Sequence, residues 1–175
     1  MIAALIIILS VVLDQVSKTL VVSLMDYHEK VTVIGELLTF YRTENSGAAL
    51  GMLSNARWVF IVFSILAIIA GLWCLYRFRG RHMLLTVSVS MLVGGGIGNM
   101  IDRLFRVGVE YDHAVVDFLH SSLMPWFYFN VADAVITVGA VLLCVYIIFI
   151  EPKVELRLKA EQAEKENNDD TSDGR

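Results

Sequence analysis

Residues 127–150, FYFNVADAVITVGAVLLCVYIIFI, are almost all apolar, and so are 58–76 and 83–101, which carry no charge. A fourth run, 1–25, is interrupted by DQVSK. A helix needs about 20 apolar residues to cross a hydrocarbon core of roughly 30 Å. Four membrane spans are therefore expected. The chain of 175 residues is 57% hydrophobic, with a mean hydropathy of +0.65. That is a membrane profile on a length suited to one small domain. The start has no basic n-region and no A-x-A-like cleavage site, so it reads as a retained first span.

Basic residues set the expected orientation. RFRGRH packs Arg77, Arg79 and Arg81 together, and Lys153, Arg157 and Lys159 follow the last span. The side with dense Lys and Arg is cytoplasmic by the positive-inside rule. Both termini are then inside, and the loops 26–57 and 102–126 are outside. The first outer loop is rich in β-branched and aromatic residues and reads as two short strands. The second, with irregular apolar spacing, reads as an interfacial segment. Trp58 and Trp126 stand where interface anchors would. The fold class expected is an all-α membrane protein: four transmembrane helices, a small β-rich extracytoplasmic subdomain and an outer interfacial segment. Residues 1–150 form the single domain, and 151–175 a polar cytoplasmic tail without fixed structure. The net charge of -4 reflects that acidic tail and says little about partners. No basic stripe suggests nucleic acid. Cys74 and Cys144 lie in apolar runs with no CxxC, as small hydrophobes would.

The polar residues inside the spans need a reason, since a carboxylate in hydrocarbon costs roughly 2.5–3.5 kcal/mol on insertion scales. Asp14 and Lys18 are four apart and can neutralise each other on one helix face. Gly94 and Gly98 make a small-xxx-small face for close helix packing. Asn99 and Asp102 share a face near the outer surface, and the neighbours Asp102 and Arg103 can each pair with groups on other spans. ENSGAALG places Asn45 before small residues, which reads as a turn. Asp117 and Asp133 sit among apolar neighbours near the outer interface, with no Lys or Arg beside them. Two carboxylates in contact settle by sharing one proton, which suits general acid–base hydrolysis of an amide. Spacing alone leaves alternatives open. A small proton-coupled transporter would also place carboxylates in spans, although no repeat is evident. A structural protein would use the same polar groups to hold helices together. His113, Asp117 and His120 at i, i+4 and i+7 would share one helical face and offer zinc ligands, but no H-E-x-x-H occurs. Ser17 and Lys18 are sequence neighbours that point to different faces, which argues against a serine–lysine pair.

Five segments in order carry a resemblance: DQVSK at 14–18, TENSGAALGML at 43–53, GGGIGNMIDR at 94–103, VVDFL at 115–119 and FNVADAVI at 129–136. Together they resemble the lipoprotein signal peptidases (signal peptidase II) of bacteria. The resemblance implies a four-span aspartic peptidase of the inner membrane, a hydrolase without cofactor or metal. It implies cleavage of a prolipoprotein just before a diacylglyceryl-modified cysteine, with membrane lipid around it. By motif, Asp117 and Asp133 would be the catalytic pair. Asp14, Lys18, Asn45, Gly47, Asn99, Asp102, Arg103, Asn130 and Ala132 would surround and support the site. The 26–57 loop would be a β-rich flap over it.

Overall fold

A computed structural model describes residues 1–35, 37–47 and 57–173, with side chains as far as 162. Among the described residues, four helical runs are long and apolar enough to cross a membrane. Three are α1 (Ile2–Leu24), α2 (Arg57–Arg77) and α3 (Met83–Phe105); the fourth run, Val131–Gln162, begins with α4 (Val131–Val145). A π turn, Tyr146–Ile150, leads from α4 into α5 (Glu151–Asp173). Four strands lie at one end: β1 (Lys30–Ile34), β2 (Leu38–Asn45), β3 (Val115–Ser121) and β4 (Tyr128–Phe129).

Helix α3 is the hub. Half of its apolar window is buried, against 22% for α1 and 11% each for α2 and α4, and it packs on all three. Its glycines explain how. A Cβ on Gly94 would stand 2.7 Å from Ser10 Cβ, and one on Gly98 would stand 2.6 Å from Asp14 Oδ2, both on α1. A Cβ on Gly95 would stand 2.7 Å from the Ala132 carbonyl of α4. The expected small-residue face is thus real, and it holds α1 close enough for polar side chains to meet across the seam. The apolar flanks of α1, α2 and α4 are exposed, as faces toward lipid would be.

The sheet is antiparallel in the order β1-β2-β3-β4. Its strands come from the segments 26–57 and 102–126 and from the start of the run 127–150. β1 and β2 are the two strands expected in 26–57. β3 arises from the second loop, because its core AVVDF is β-branched and buried at every residue from Ala114 to Phe118. Val116 and Phe118 pack on Val21 and Met25 at the end of α1. Arg42 of β2 fastens the same corner, donating to the carbonyls of Met25 (2.6 Å) and Val22 (3.2 Å). Those are terminal helix carbonyls that lack a partner within the helix.

Boundaries differ from expectation in three places. α3 continues to Phe105 rather than stopping at 101, because Asp102 and Arg106 pair at i, i+4 across that last turn. α4 starts at Val131 rather than 127, because Asn130 caps it and Tyr128–Phe129 are drawn off to pair with β3. The tail expected to lack fixed structure has a helical backbone from Glu151 to Asp173. Its residues are good helix formers, and Lys159 pairs with Glu155 four residues away at 2.9 Å.

Candidate active site

Two groups of buried polar residues meet where α1, α3, α4 and β3 converge. The first is a set of alternating charges. Lys18 Nζ lies 2.8 Å from Asp14 Oδ2 and 2.8 Å from Asp102 Oδ2, and all three side chains are 0% exposed. Asp102 Oδ1 in turn accepts from Arg106 Nε at 2.7 Å. Two carboxylates face two cations, so the cluster is neutral. Gln15 ties it off, donating to Gly98 O (3.0 Å) and Asp102 Oδ1 (3.1 Å) and accepting from Arg106. Asp14 also reaches across the bundle: its Oδ1 accepts from the Ala132 amide at 2.9 Å. That amide belongs to the first turn of α4, where free N–H groups and the helix dipole favour an anion. Asp14 therefore joins three helices.

Of the neighbours Asp102 and Arg103, Asp102 pairs with a group on another span, as expected, and Arg103 is not its partner. Consecutive helical residues diverge around the axis, whereas i and i+4 share a face. Lys18 and Arg106 take that role instead. Arg103 donates to the Asn99 carbonyl at 3.3 Å, and its guanidinium lies over the Phe60 ring at 5.2 Å. It stays within electrostatic reach of Asp117 and Asp133.

The second group holds Asp117 and Asp133, and among the described residues no cation pairs with either. Asp133 sits in the first turn of α4 within a capping box. The Asn130 side chain accepts from the Asp133 amide (3.0 Å), and Asp133 Oδ2 accepts from the Asn130 amide (3.2 Å). Its other oxygen accepts from Asn99 Nδ2 at 2.8 Å. Asp117, on β3, accepts from Asn130 Nδ2 (2.7 Å) and Asn45 Nδ2 (3.2 Å). Asn130 Nδ2 also donates to Asn99 Oδ1 at 3.1 Å. Two asparagines thus run from one carboxylate to the other. Gly47 helps, since its amide donates to Asn45 Oδ1 (3.0 Å) and so turns the Asn45 NH2 group toward Asp117. The rest of that motif, 48–56, lies outside the described residues.

Asp117 is 3% exposed. Burial, and then the neighbouring Asp133 carboxylate, push its carboxyl up to about 7, against the opposing pull of the Asn45 and Asn130 hydrogen bonds. Asp133 is only half buried. It lines a mostly apolar groove of about 280 Å³ with Met124, Phe127, Phe129, Thr137 and Val138. A carboxyl that still holds its proton part of the time near pH 7, beside one that lines a groove, has the parts for general acid–base chemistry.

The structure therefore gathers Asp14, Lys18, Asn45, Asn99, Asp102, Asp117, Asn130, Ala132 and Asp133 into one connected network. The helical face imagined for His113, Asp117 and His120 does not form. β3 is a strand, so Asp117 and His120 point to opposite faces. His120 instead stacks on Tyr128, and among the described residues no cluster of metal-ligating side chains occurs. Sequence reasoning did not single out Arg106 as an ion-pair partner or Arg42 as a helix cap. The i, i+4 spacing to Asp102 was the available signal for the first.

Comparison with known proteins shows the family. The Signal peptidase (SPase) II family matches residues 6–149. A lipoprotein signal peptidase of Symbiobacterium thermophilum is 38% identical over 148 residues, 83% of this chain and 93% of that protein. One of Clostridioides difficile is 36% identical over 153 residues, 87% of this chain and 99% of that protein. A bacterial membrane enzyme solved by the in meso method at 2.3 Å superposes with a TM-score of 0.74 at 28% identity, covering 83% of this chain and 87% of its own.

Proposed function

Since the chain belongs to the signal peptidase II family, we propose that it removes the signal peptide from diacylglyceryl-modified prolipoproteins. The bond cut is the one just before the lipidated cysteine, and Asp117 and Asp133 are the catalytic pair. The observation that carries this is the environment of the two carboxylates. They come from separate elements, β3 and α4, and their direct partners are amides rather than cations. A carboxylate neutralised by Lys or Arg is a poor base and cannot donate a proton. One held only by amides keeps both abilities.

The chemistry balances without a covalent intermediate. One carboxylate takes a proton from water as the water oxygen attacks the scissile carbonyl carbon. The other, protonated, gives its proton to the carbonyl oxygen, and a gem-diol forms. Collapse of the gem-diol returns a proton to the second carboxyl. The first passes its proton to the amide nitrogen as the C–N bond breaks. Both groups end as they began. The groove beside Asp133 is lined mostly by apolar residues, which suits a substrate that arrives from lipid.

The topology proposed has the sheet outside and Arg77, Arg79 and Arg81 in the cytoplasm with both termini, in the inner membrane. Residues 1–150 are the catalytic domain. The carrier alternative needs carboxylates at several depths, whereas Asp102, Asp117 and Asp133 gather at one end of the bundle. Incubating the purified protein with a diacylated prolipoprotein tests the reading. The shorter, still lipidated product is expected. An intact precursor after prolonged incubation with folded protein refutes it.

A further inference from the structure

Lys18 lies outside the reacting pair, yet one of its hydrogen bonds does not belong to the ion cluster: Nζ donates to Asn99 Oδ1 at 2.8 Å. An ammonium group only donates, so it fixes which end of the Asn99 amide it meets. Asn130 agrees. Its Oδ1 is occupied by the Asp133 amide, so its NH2 must face outward, and it too reaches Asn99 Oδ1. Two donors converge on that oxygen, and a flipped Asn99 would set NH2 against both. The Asn99 NH2 group is thereby locked onto Asp133 Oδ1. A charged donor at one end of an amide also strengthens the hydrogen bond given at the other, because linked bonds polarise each other.

The two carboxylates are not equivalent. Asp133 receives this driven bond, a backbone N–H from Asn130, and the positive end of α4. It also faces the groove. Asp117 is enclosed in the core of β3, with two neutral amides as its partners. We infer that Lys18 is a positioning residue for the cleavage reaction: acting through Asn99, it holds Asp133 as the carboxylate that takes the water proton, leaving Asp117 as the proton donor. The inference rests on the peptidase reading and gives its two carboxylates separate roles.

The test is a double-mutant cycle on cleavage of a diacylated prolipoprotein, with kcat and KM measured separately. Removing Lys18 alone would strand Asp14 and Asp102. Lys18→Met is therefore combined with Asp14→Asn, which leaves the Asp102–Arg106 pair neutral. Relative to the native enzyme, this pair of changes lowers kcat about 10- to 100-fold, with KM little altered. In an Asn99→Ala background the same changes lower kcat less than about twofold, because the relay is already cut. A merely structural Lys18 gives equal factors in both backgrounds, and that result overturns the inference. Asn99→Asp supplies a second arm should the combined variant not fold. It keeps an oxygen for Lys18 but cannot donate to Asp133. It is expected to fold and to lose kcat at unchanged KM; native kcat in this variant also overturns the relay. If the native enzyme fails to cleave, the peptidase reading falls and the relay with it. If the native enzyme cleaves while the factors multiply independently, only the relay falls.

Discussion

The molecule buries two pairs of carboxylates within one network and treats them oppositely. Asp14 and Asp102 are wedged between Lys18 and Arg106, so charge cancels charge. Asp117 and Asp133 are held by Asn45, Asn99 and Asn130, and among the described residues no cation pairs with them. Asp14, Asp102 and Asp117 are buried and Asp133 is half-buried, and the consequences differ. A compensated pair can neither gain nor release a proton without stranding its partner, so it serves as structure. An uncompensated pair near the surface of the bundle costs stability and keeps its proton mobile. The contrast explains how a span can tolerate Asp133: hydrogen bonds make its burial affordable, and chemistry is what the chain gains.

The largest effect expected follows from the uncompensated pair. Asp117→Asn and Asp133→Asn each lower cleavage by about 10⁴-fold or more, while folded yield is retained. Cleavage rate and yield on the same preparations check this; substantial cleavage by either variant breaks the contrast. The compensated pair behaves the other way. Asp14→Ala leaves Lys18 short of a partner and the Ala132 amide without its acceptor, at about 3–5 kcal/mol. Folded yield in detergent should fall along with activity. Normal thermal stability with activity abolished would move Asp14 into the chemistry. A smaller loss, about 1–3 kcal/mol, is expected for Gly98→Ala, whose Cβ would meet Asp14 Oδ2 at 2.6 Å. Thermal unfolding measures it, and an unchanged midpoint would mean that the α1–α3 seam is looser than the geometry implies.

The smallest effect is a slope. Asp117 is raised to about 7 in the folded protein, so the native state binds this proton more tightly than the unfolded chain does. Its contribution to stability is full below the ordinary carboxylate range and is lost as pH rises toward about 7. Cleavage, which needs the protonated donor, should decline above the same point. Comparing unfolding of native and Asp117→Asn protein across this range isolates the contribution. Identical slopes would contradict it.

Much of the frame was legible because hydrocarbon demands long apolar runs, and four are plain in the sequence. Span ends were less so. Nothing in the run 127–150 marks Asn130 as the start of α4 except its capping side chain. The pull of Phe129 into the sheet depends on β3, which is distant in sequence. Asp14 with Lys18 was readable from i, i+4 spacing. The partnership of Asp102 with Arg106 was hidden because α3 runs a turn further than its apolar stretch. Asp117 was the hardest to place. A carboxylate in a strand meets one in a helix only through long-range packing, here Val116 and Phe118 on the end of α1. Their lack of basic neighbours suggested pairing Asp117 with Asp133, and the motifs taken together, by resemblance, made that pairing specific.

Whether Asp117 and Asp133 act as one unit is tested most directly by single-turnover cleavage of a diacylated prolipoprotein. The rates to compare are those of Asp117→Asn, Asp133→Asn and the double variant. If the pair works as a unit, removing one member already removes the function of the other, and the double variant is no slower than either single one. Losses that multiply, with the double variant slower than both by the product of the single effects, would show two independent groups and contradict the dyad.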